Sequence, residues 1–127
     1  IHDAARPFTN KRLIEECIHG LDEYDVVLPG LNVTDTLWEK TEVPSKQSFV
    51  IGIGPDRDSL IRAQTPQAFK FKYILERHQN NHENFSDDVY LAFQDSKKIN
   101  IIEGSSKNFK ITTPDDINLA KDLVRNV

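Results

Sequence analysis

The spacing of apolar positions divides the chain into alternating helical and extended stretches. From Asn10 to Leu21 the residues Leu13, Ile14, Cys17, Ile18 and Leu21 recur at helical spacing. They predict a helix capped by Asn10, with Gly20 near its end. Asp25 to Leu28 is short and apolar on both faces, the signature of a buried parallel strand, and Pro29-Gly30 is expected to stop it. A second helix is expected from Gln67 to His78, begun just after Pro66, with Phe71, Ile74, Leu75 and His78 on one side. A third is expected over Asp87 to Asp95, capped by Ser86, with Asp87 and Asp88 at its positive end. Lys98 to Glu103 reads as a strand ended by Gly104-Ser105-Ser106, and Asn108 to Thr112 extends again. Thr113 then caps a last helix, with Pro114 first, Asp115 and Asp116 in the opening turn, and Ile117, Ala120, Leu123 and Val124 as its apolar face.

Thr34 to Ile61 breaks this rhythm. It carries Pro44, Gly52, Gly54 and Pro55 among short extended pieces such as Ser48-Phe49-Val50-Ile51. The expectation is a protruding two-stranded arm, over about residues 36–60, that reaches a second subunit. Trp38 would pack its base or a dimer contact. The remaining alternation of strands and helices predicts an α/β layer fold with a largely parallel sheet. Ligands of such sheets bind beyond the carboxyl ends of the strands, so the loops after Ile1, after Leu28 and around Lys110 are the places to look.

Composition narrows the class. With 127 residues there is room for one compact domain, and 38% hydrophobic and 28% charged residues suit a folded soluble chain. A net charge of −4 without a basic run argues against nucleic acid as a partner. No apolar run approaches the roughly 20 residues of a membrane span, and a cytoplasmic setting is expected. Cys17 can form no internal disulfide and reads as a small buried hydrophobe. Met is absent and Ile1 resembles the last residue of a strand, so the chain is expected to begin inside a domain.

Four segments offer chemistry, each with a plainer alternative. In His2-Asp3-Ala4-Ala5-Arg6-Pro7, Asp3 could hold Mg²⁺ or ribose hydroxyls and Arg6 a phosphate, or the two could form a loop salt bridge. Thr34-Asp35-Thr36 could bind an oxyanion or form a turn. Arg57 to Gln67 sets Arg57 and Arg62 close to a Thr65-Pro66 helix start, an anion site or ordinary capping beside solvated arginines. Lys110-Ile111-Thr112-Thr113-Pro114 would put Lys110 and Thr112 on one strand face before a helix N-terminus, which suits a phosphate, or else is an edge lysine and a cap. His78 and His82 read as a surface pair rather than metal ligands.

The order of these segments carries more than any one of them. His2-Asp3-Ala4-Ala5-Arg6-Pro7, Val33-Thr34-Asp35-Thr36, Asp56-Arg57, Gln64-Thr65-Pro66-Gln67-Ala68-Phe69, Ser86-Asp87-Asp88, and Glu103-Gly104 with Asn108-Phe109-Lys110-Ile111-Thr112-Thr113-Pro114-Asp115-Asp116 follow one another over nearly the whole chain. The series resembles the 2-C-methyl-D-erythritol 4-phosphate cytidylyltransferase family. Its wording at Thr65–Phe69 and Ser86–Asp88 is similar to forms fused to a cyclodiphosphate synthase. The resemblance implies a nucleotide-sugar-transferase-like, Rossmann-like α/β fold and a homodimer joined through the β-arm. It implies transfer of CMP from CTP to methylerythritol phosphate with Mg²⁺ and release of pyrophosphate, in non-mevalonate isoprenoid synthesis. By motif, Arg57 and Lys110 would position the substrate phosphate, Arg57 in the partner's site. Asp3 would stand near metal and ribose, and Arg6, Thr36, Thr65, Thr112 and Ser86 (in place of the family's usual Thr) would line the pocket. The family's glycine-rich triphosphate loop would lie upstream of Ile1, making residues 1–127 the C-terminal part of one domain, inactive alone. Two rivals are ribitol-5-phosphate cytidylyltransferase and a non-catalytic dimerisation or sugar-phosphate-binding module.

Overall fold

The computed structural model describes residues 1–41, 48–81 and 84–125. Its elements in chain order are α1 (Lys11–Gly20), β1 (Val26–Asn32), β2 (Trp38–Lys40), β3 (Val50–Ile53), β4 (Ile61–Ala63), β5 (Ala68–Phe69), α2 (Phe71–Asn80), α3 (Val89–Gln94), β6 (Ile99–Glu103) and α4 (Pro114–Arg125). The result is a mixed α/β architecture.

β1 is the axis of the main sheet. Its Val26, Val27, Leu28 and Pro29 are buried, as a strand covered on both faces requires. β6 pairs with it in parallel over the longest ladder, Val26 with Ile99 through to Gly30 with Glu103. Along the other edge run β4 and then β5, both antiparallel, with Gly30 opposite Ala63 and Val27 opposite Ala68. Gln64, Thr65, Pro66 and Gln67 therefore stand opposite only Leu28 and Pro29, and the surplus residues bulge out of the ladder. The Thr65–Pro66 peptide within the bulge is cis.

α1 forms where the apolar spacing places it. Asn10 Oδ1 accepts the Leu13 amide at 3.0 Å, and Leu13 and Cys17, four residues apart, are buried against the sheet. Leu13, Leu91, Val26 and Val27 are completely enclosed and make the centre of the core. α4 also starts as expected. The Thr113 hydroxyl accepts the Asp116 amide at 3.3 Å, while Asp116 Oδ2 accepts the Thr113 amide at 2.8 Å, a reciprocal capping box.

Four boundaries differ from the expectation. β1 continues through Pro29-Gly30 to Asn32. The amide that Pro29 lacks falls opposite the bulge, where the ladder is already broken, and its carbonyl still accepts the Gln64 amide at 2.8 Å. α2 begins at Phe71 instead of Gln67, because Ala68 and Phe69 pair with Val27 and Val26 and because Gln67 exchanges two backbone hydrogen bonds with Ile1, at 2.8 and 2.9 Å. Ser86 does not cap α3. The helix starts at Val89, whose amide is bound by Asp87 Oδ1 at 2.9 Å. Asn108–Thr112 joins no ladder; the Asn108 amide donates to the Ser105 carbonyl at 3.0 Å within the turn, and the Ile111 amide to the Ala5 carbonyl at 2.9 Å.

The arm is a sheet of its own. β2 and β3 pair antiparallel, Trp38 opposite Ile53, with residues 42–47 outside the described set. At its base Gly54 donates to the Leu37 carbonyl, and a Cβ on Gly54 would stand 2.6 Å from that oxygen, so only glycine allows the approach. Trp38, Phe49, Val50, Ile51 and Ile53 are all exposed.

Candidate active site

The bulge in the edge strand builds one wall of a cavity of about 230 Å³ at the end of the sheet. Asp3, Arg6, Thr65, Ser86 and Lys110 line it together with Ile1, Ala63, Gln67, Asp87 and Asp88. Five of the eight residues expected at a site thus meet in one place, drawn from loops far apart in sequence.

Asp3 is the electrostatic hub. Its Oδ2 lies 3.1 Å from Lys110 Nζ and 3.4 Å from Arg6 Nε. Burial pushes the Asp3 carboxyl up, but the two cations outweigh it and hold the group below the ordinary carboxylate value. The Asp3–Arg6 pair read from sequence as a plain loop contact is real, and Lys110 makes it a triad. Arg6 is the more enclosed cation, its side chain 12% exposed against 47% for Lys110, and its Nη1 donates to the Asn108 carbonyl at 2.9 Å. Lys110 therefore has the freer head, suited to meet an arriving anion.

Thr65 is fixed by its neighbours. Its hydroxyl oxygen accepts the Asp3 amide at 3.0 Å and lies 2.9 Å from His2 Nδ1. His2 Nε2 is 3.0 Å from the Arg6 carbonyl, which can only accept, so Nε2 carries a hydrogen. In the neutral ring Nδ1 then accepts, and the Thr65 hydroxyl donates to it. Across the cavity, Gln67 Nε2 donates to Asp87 Oδ2 at 2.9 Å, while His78 Nε2 reaches Asp88 Oδ1 at 2.7 Å. These contacts pin the Ser86–Asp88 segment against the bulge. His78 is thus a structural partner of Asp88, and His82 lies outside the described residues.

Three expected residues lie outside this cavity. The Thr112 hydroxyl donates to Asp116 Oδ2 at 3.0 Å, so it serves the α4 cap instead of sharing a face with Lys110. Without strand pairing at 108–112, the alternation that was to align them does not apply. Thr36 precedes β2 at the root of the arm. Arg57 sits on a short 3₁₀ turn, Arg57–Ser59, half-exposed, donating to the Thr34 carbonyl at 2.7 Å. The sequence reading missed Gln64, Gln67 and Asn108, which are 4%, 3% and 0% exposed. Their signal was present: amides flanking a Thr-Pro step and a Gly-Ser-Ser turn, where buried carbonyls need donors.

Among the described residues no group of three or more His, Cys, Asp or Glu side chains could hold a metal, and no helix is long and apolar enough to cross a membrane. A single carboxylate nevertheless fits Mg²⁺ when phosphates complete the shell. Asp3 is the carboxylate that could offer an oxygen, since both cations contact its Oδ2 and not its Oδ1.

This α/β fold, whose cavity sets Arg6 and Lys110 among the carboxylates of Asp3, Asp87 and Asp88, is shared with solved cytidylyltransferases. The 2-C-methyl-D-erythritol 4-phosphate cytidylyltransferase from Thermus thermophilus is 30% identical, with a TM-score of 0.82 over 98% of this chain and 60% of that one. The 4-diphosphocytidyl-2C-methyl-D-erythritol synthase from Anaerococcus prevotii DSM 20548 is 30% identical, with a TM-score of 0.75 over 98% of this chain and 57% of that one. The 2-C-methyl-D-erythritol 4-phosphate cytidylyltransferase family model matches residues 1–126, and the chain belongs to that family. The enzyme of that name from Clostridium botulinum (strain Eklund 17B / Type B) is 39% identical over 98% of this chain and 54% of its own length. The bifunctional enzyme IspD/IspF from Ruegeria sp. (strain TM1040) is 38% identical over 99% of this chain and 31% of its own. The chain thus spans about half the length of the single-function relatives it matches and about a third of the bifunctional ones.

Proposed function

We propose that the chain supplies the acceptor-phosphate side of a cytidylyltransferase that joins 2-C-methyl-D-erythritol 4-phosphate to CTP. The observation that carries this reading is the meeting of Lys110 and Arg6 on Asp3 Oδ2, beside the Thr65 hydroxyl, in a cavity of about 230 Å³. In the reaction, an oxygen of the acceptor phosphate attacks the α-phosphorus of CTP. A new P–O bond forms, the bond from that phosphorus to the bridging oxygen breaks, and pyrophosphate leaves with the electron pair. No covalent enzyme intermediate is needed, only alignment and charge neutralisation. Lys110 releases Asp3 to take the acceptor phosphate, Arg6 backs the same charge from the enclosed side, and Thr65 and Ser86 offer hydroxyls to the substrate. Asp3 is the residue that would hold Mg²⁺, which supplies charge neutralisation on the phosphates.

The exposed apolar faces of β2 and β3 support a homodimer joined through the arm, because apolar area of this extent marks a contact surface. Arg57, and with it Thr36, would then act on the partner's cavity, and the triphosphate loop would stand in the part of the domain that the longer relatives carry. The test is turnover by the full-length protein with CTP, Mg²⁺ and a panel of acceptors, followed by ³¹P NMR. Pyrophosphate and a cytidine diphosphate ester should appear with methylerythritol phosphate. Turnover with ribitol 5-phosphate alone, or with neither, contradicts the proposal.

A further inference from the structure

Lys110 is placed by a segment that no β-ladder supports. Residues 104–113 leave β6 and reach α4 without strand pairing. The stem of a lysine is flexible, so its ammonium is only as well positioned as the backbone beneath it. Here two buried side-chain amides do what a ladder would do. Gln64 Oε1 accepts the Ser105 amide at 3.0 Å, while its Nε2 donates to the Ser105 carbonyl at 2.9 Å and to the Asn108 carbonyl at 3.2 Å. The primary amide thereby copies the donor and acceptor of a strand residue. Asn108 answers from the other side, its Nδ2 donating to the Thr65 carbonyl at 2.8 Å. Its own carbonyl also takes Arg6 Nη1 at 2.9 Å. The Asn108 residue thus touches the Thr65 bulge and Arg6, and stands two positions before Lys110. Gly104 permits the close fit, since a Cβ there would lie 2.7 Å from Gln64 Oε1 and 3.0 Å from the Gly30 carbonyl.

We propose that Gln64 and Asn108 are positioning residues that act through Lys110: their paired amides lock the 105–108 turn to the Thr65–Pro66 bulge and so hold the Lys110 ammonium in register with Asp3, Arg6 and Thr65. Neither side chain lines the 230 Å³ cavity with them, and neither needs to touch substrate. Both must be amides. A carboxylate at either position would set a negative charge against carbonyl oxygens, and an apolar side chain would leave buried carbonyls without donors.

This inference rests on the proposed acceptor-phosphate reading, so its test has two arms. The first is a double-mutant cycle in the full-length enzyme with Asn108→Leu, and separately Gln64→Met, each of which keeps side-chain volume without burying charge. Each substitution should lower kcat/KM for the acceptor about tenfold or more while KM for CTP stays within about twofold. In a Lys110→Ala background the same substitutions should cost less than about twofold, because the group they position is gone. A further loss of the same factor in that background, or an unchanged kcat/KM in both single variants, overturns the proposal. The second arm is independent of activity. Crystal structures of the two variants should show Lys110 Nζ displaced from Asp3 Oδ2, beyond the 3.1 Å contact. If the wild type has no turnover but the variants displace Lys110, the functional reading fails and the positioning stands. If both variants keep the contact, the positioning fails whatever the activity.

Discussion

The sheet-edge cavity and the arm each carry cations suited to a phosphate, but they are built in opposite ways. In the cavity Arg6 and Lys110 are held by Asp3, the Asn108 carbonyl accepts Arg6 and the Asn108 Nδ2 donates to the Thr65 carbonyl, which leaves Asn108 Oδ1 as the one buried atom of that amide without a partner among the described residues. On the arm Arg57 is half-exposed, bonded to one carbonyl, with Asp58 at 3.9 Å. The same contrast holds for apolar residues. The sheet encloses Val26, Val27 and Leu91 completely, whereas the arm leaves Ile53 80% exposed and Trp38 58% exposed. In the proposed dimer the preorganised cavity would fix one wall of the site, and the partner's unburied arm would supply the rest.

The sharpest way to break this comparison is to remove one cation from each region. Lys110→Ala should lower kcat/KM with methylerythritol phosphate by roughly a hundredfold or more, with CTP binding retained, as should Arg57→Ala. Mixing the two inactive proteins separates their locations. With random pairing about half of the dimers are mixed, each with one intact site, so about a quarter of wild-type activity should return if Arg57 serves the partner. If exchange is demonstrated and nothing returns, both cations work in the same chain.

A pair of truncations sharpens the apolar half of the comparison. Leu13→Ala, in a fully enclosed position, should destabilise the fold by about 2–5 kcal/mol in urea titration. Ile53→Ala should leave the urea midpoint of the monomer nearly unchanged and instead weaken dimerisation measured by sedimentation. Equal loss of fold stability from both would mean that the arm packs on its own chain.

The smallest expected effect is on pH dependence. Backbone hydrogen bonds from Thr112 and Thr113 hold the exposed Asp116 carboxyl at about 2, below its ordinary 3.8. A depressed carboxylate contributes stability that is fully present above the ordinary value and lost as pH falls through the folded one. Stability should therefore decline as pH drops from about 4 towards about 2. Asp116→Asn should flatten that slope, as should Asp3→Asn, whose carboxyl is also held low. An unchanged slope in Asp116→Asn would assign the acid response to other groups.

How far the sequence was legible follows from which interactions are local. α1 and the α4 cap were readable because Asn10, Leu13, Cys17 and Thr113 act within a turn or two of one another. The separate pairing of β2 and β3 was readable from the Pro and Gly punctuation around them. The start of α2 was not, since Pro66 favours a helix locally, and pairing of Ala68 and Phe69 with β1 and of Gln67 with Ile1 overrides it. Asp3, Arg6, Thr65, Ser86 and Lys110 could be named from motif order, but their convergence depends on the bulge that four residues make opposite Leu28 and Pro29. Thr112 shows the limit of periodicity, because the strand that would have turned it beside Lys110 does not form, and Asp116 takes its hydroxyl.

The most direct measurement is a crystal structure of the full-length protein with methylerythritol phosphate bound. The account predicts the phosphate in the cavity, within hydrogen-bond reach of Lys110 and the Thr65 hydroxyl, with an Arg57 guanidinium arriving from the second subunit. A phosphate bound away from Asp3, Arg6 and Lys110, or met by Arg57 of the same chain, would contradict it.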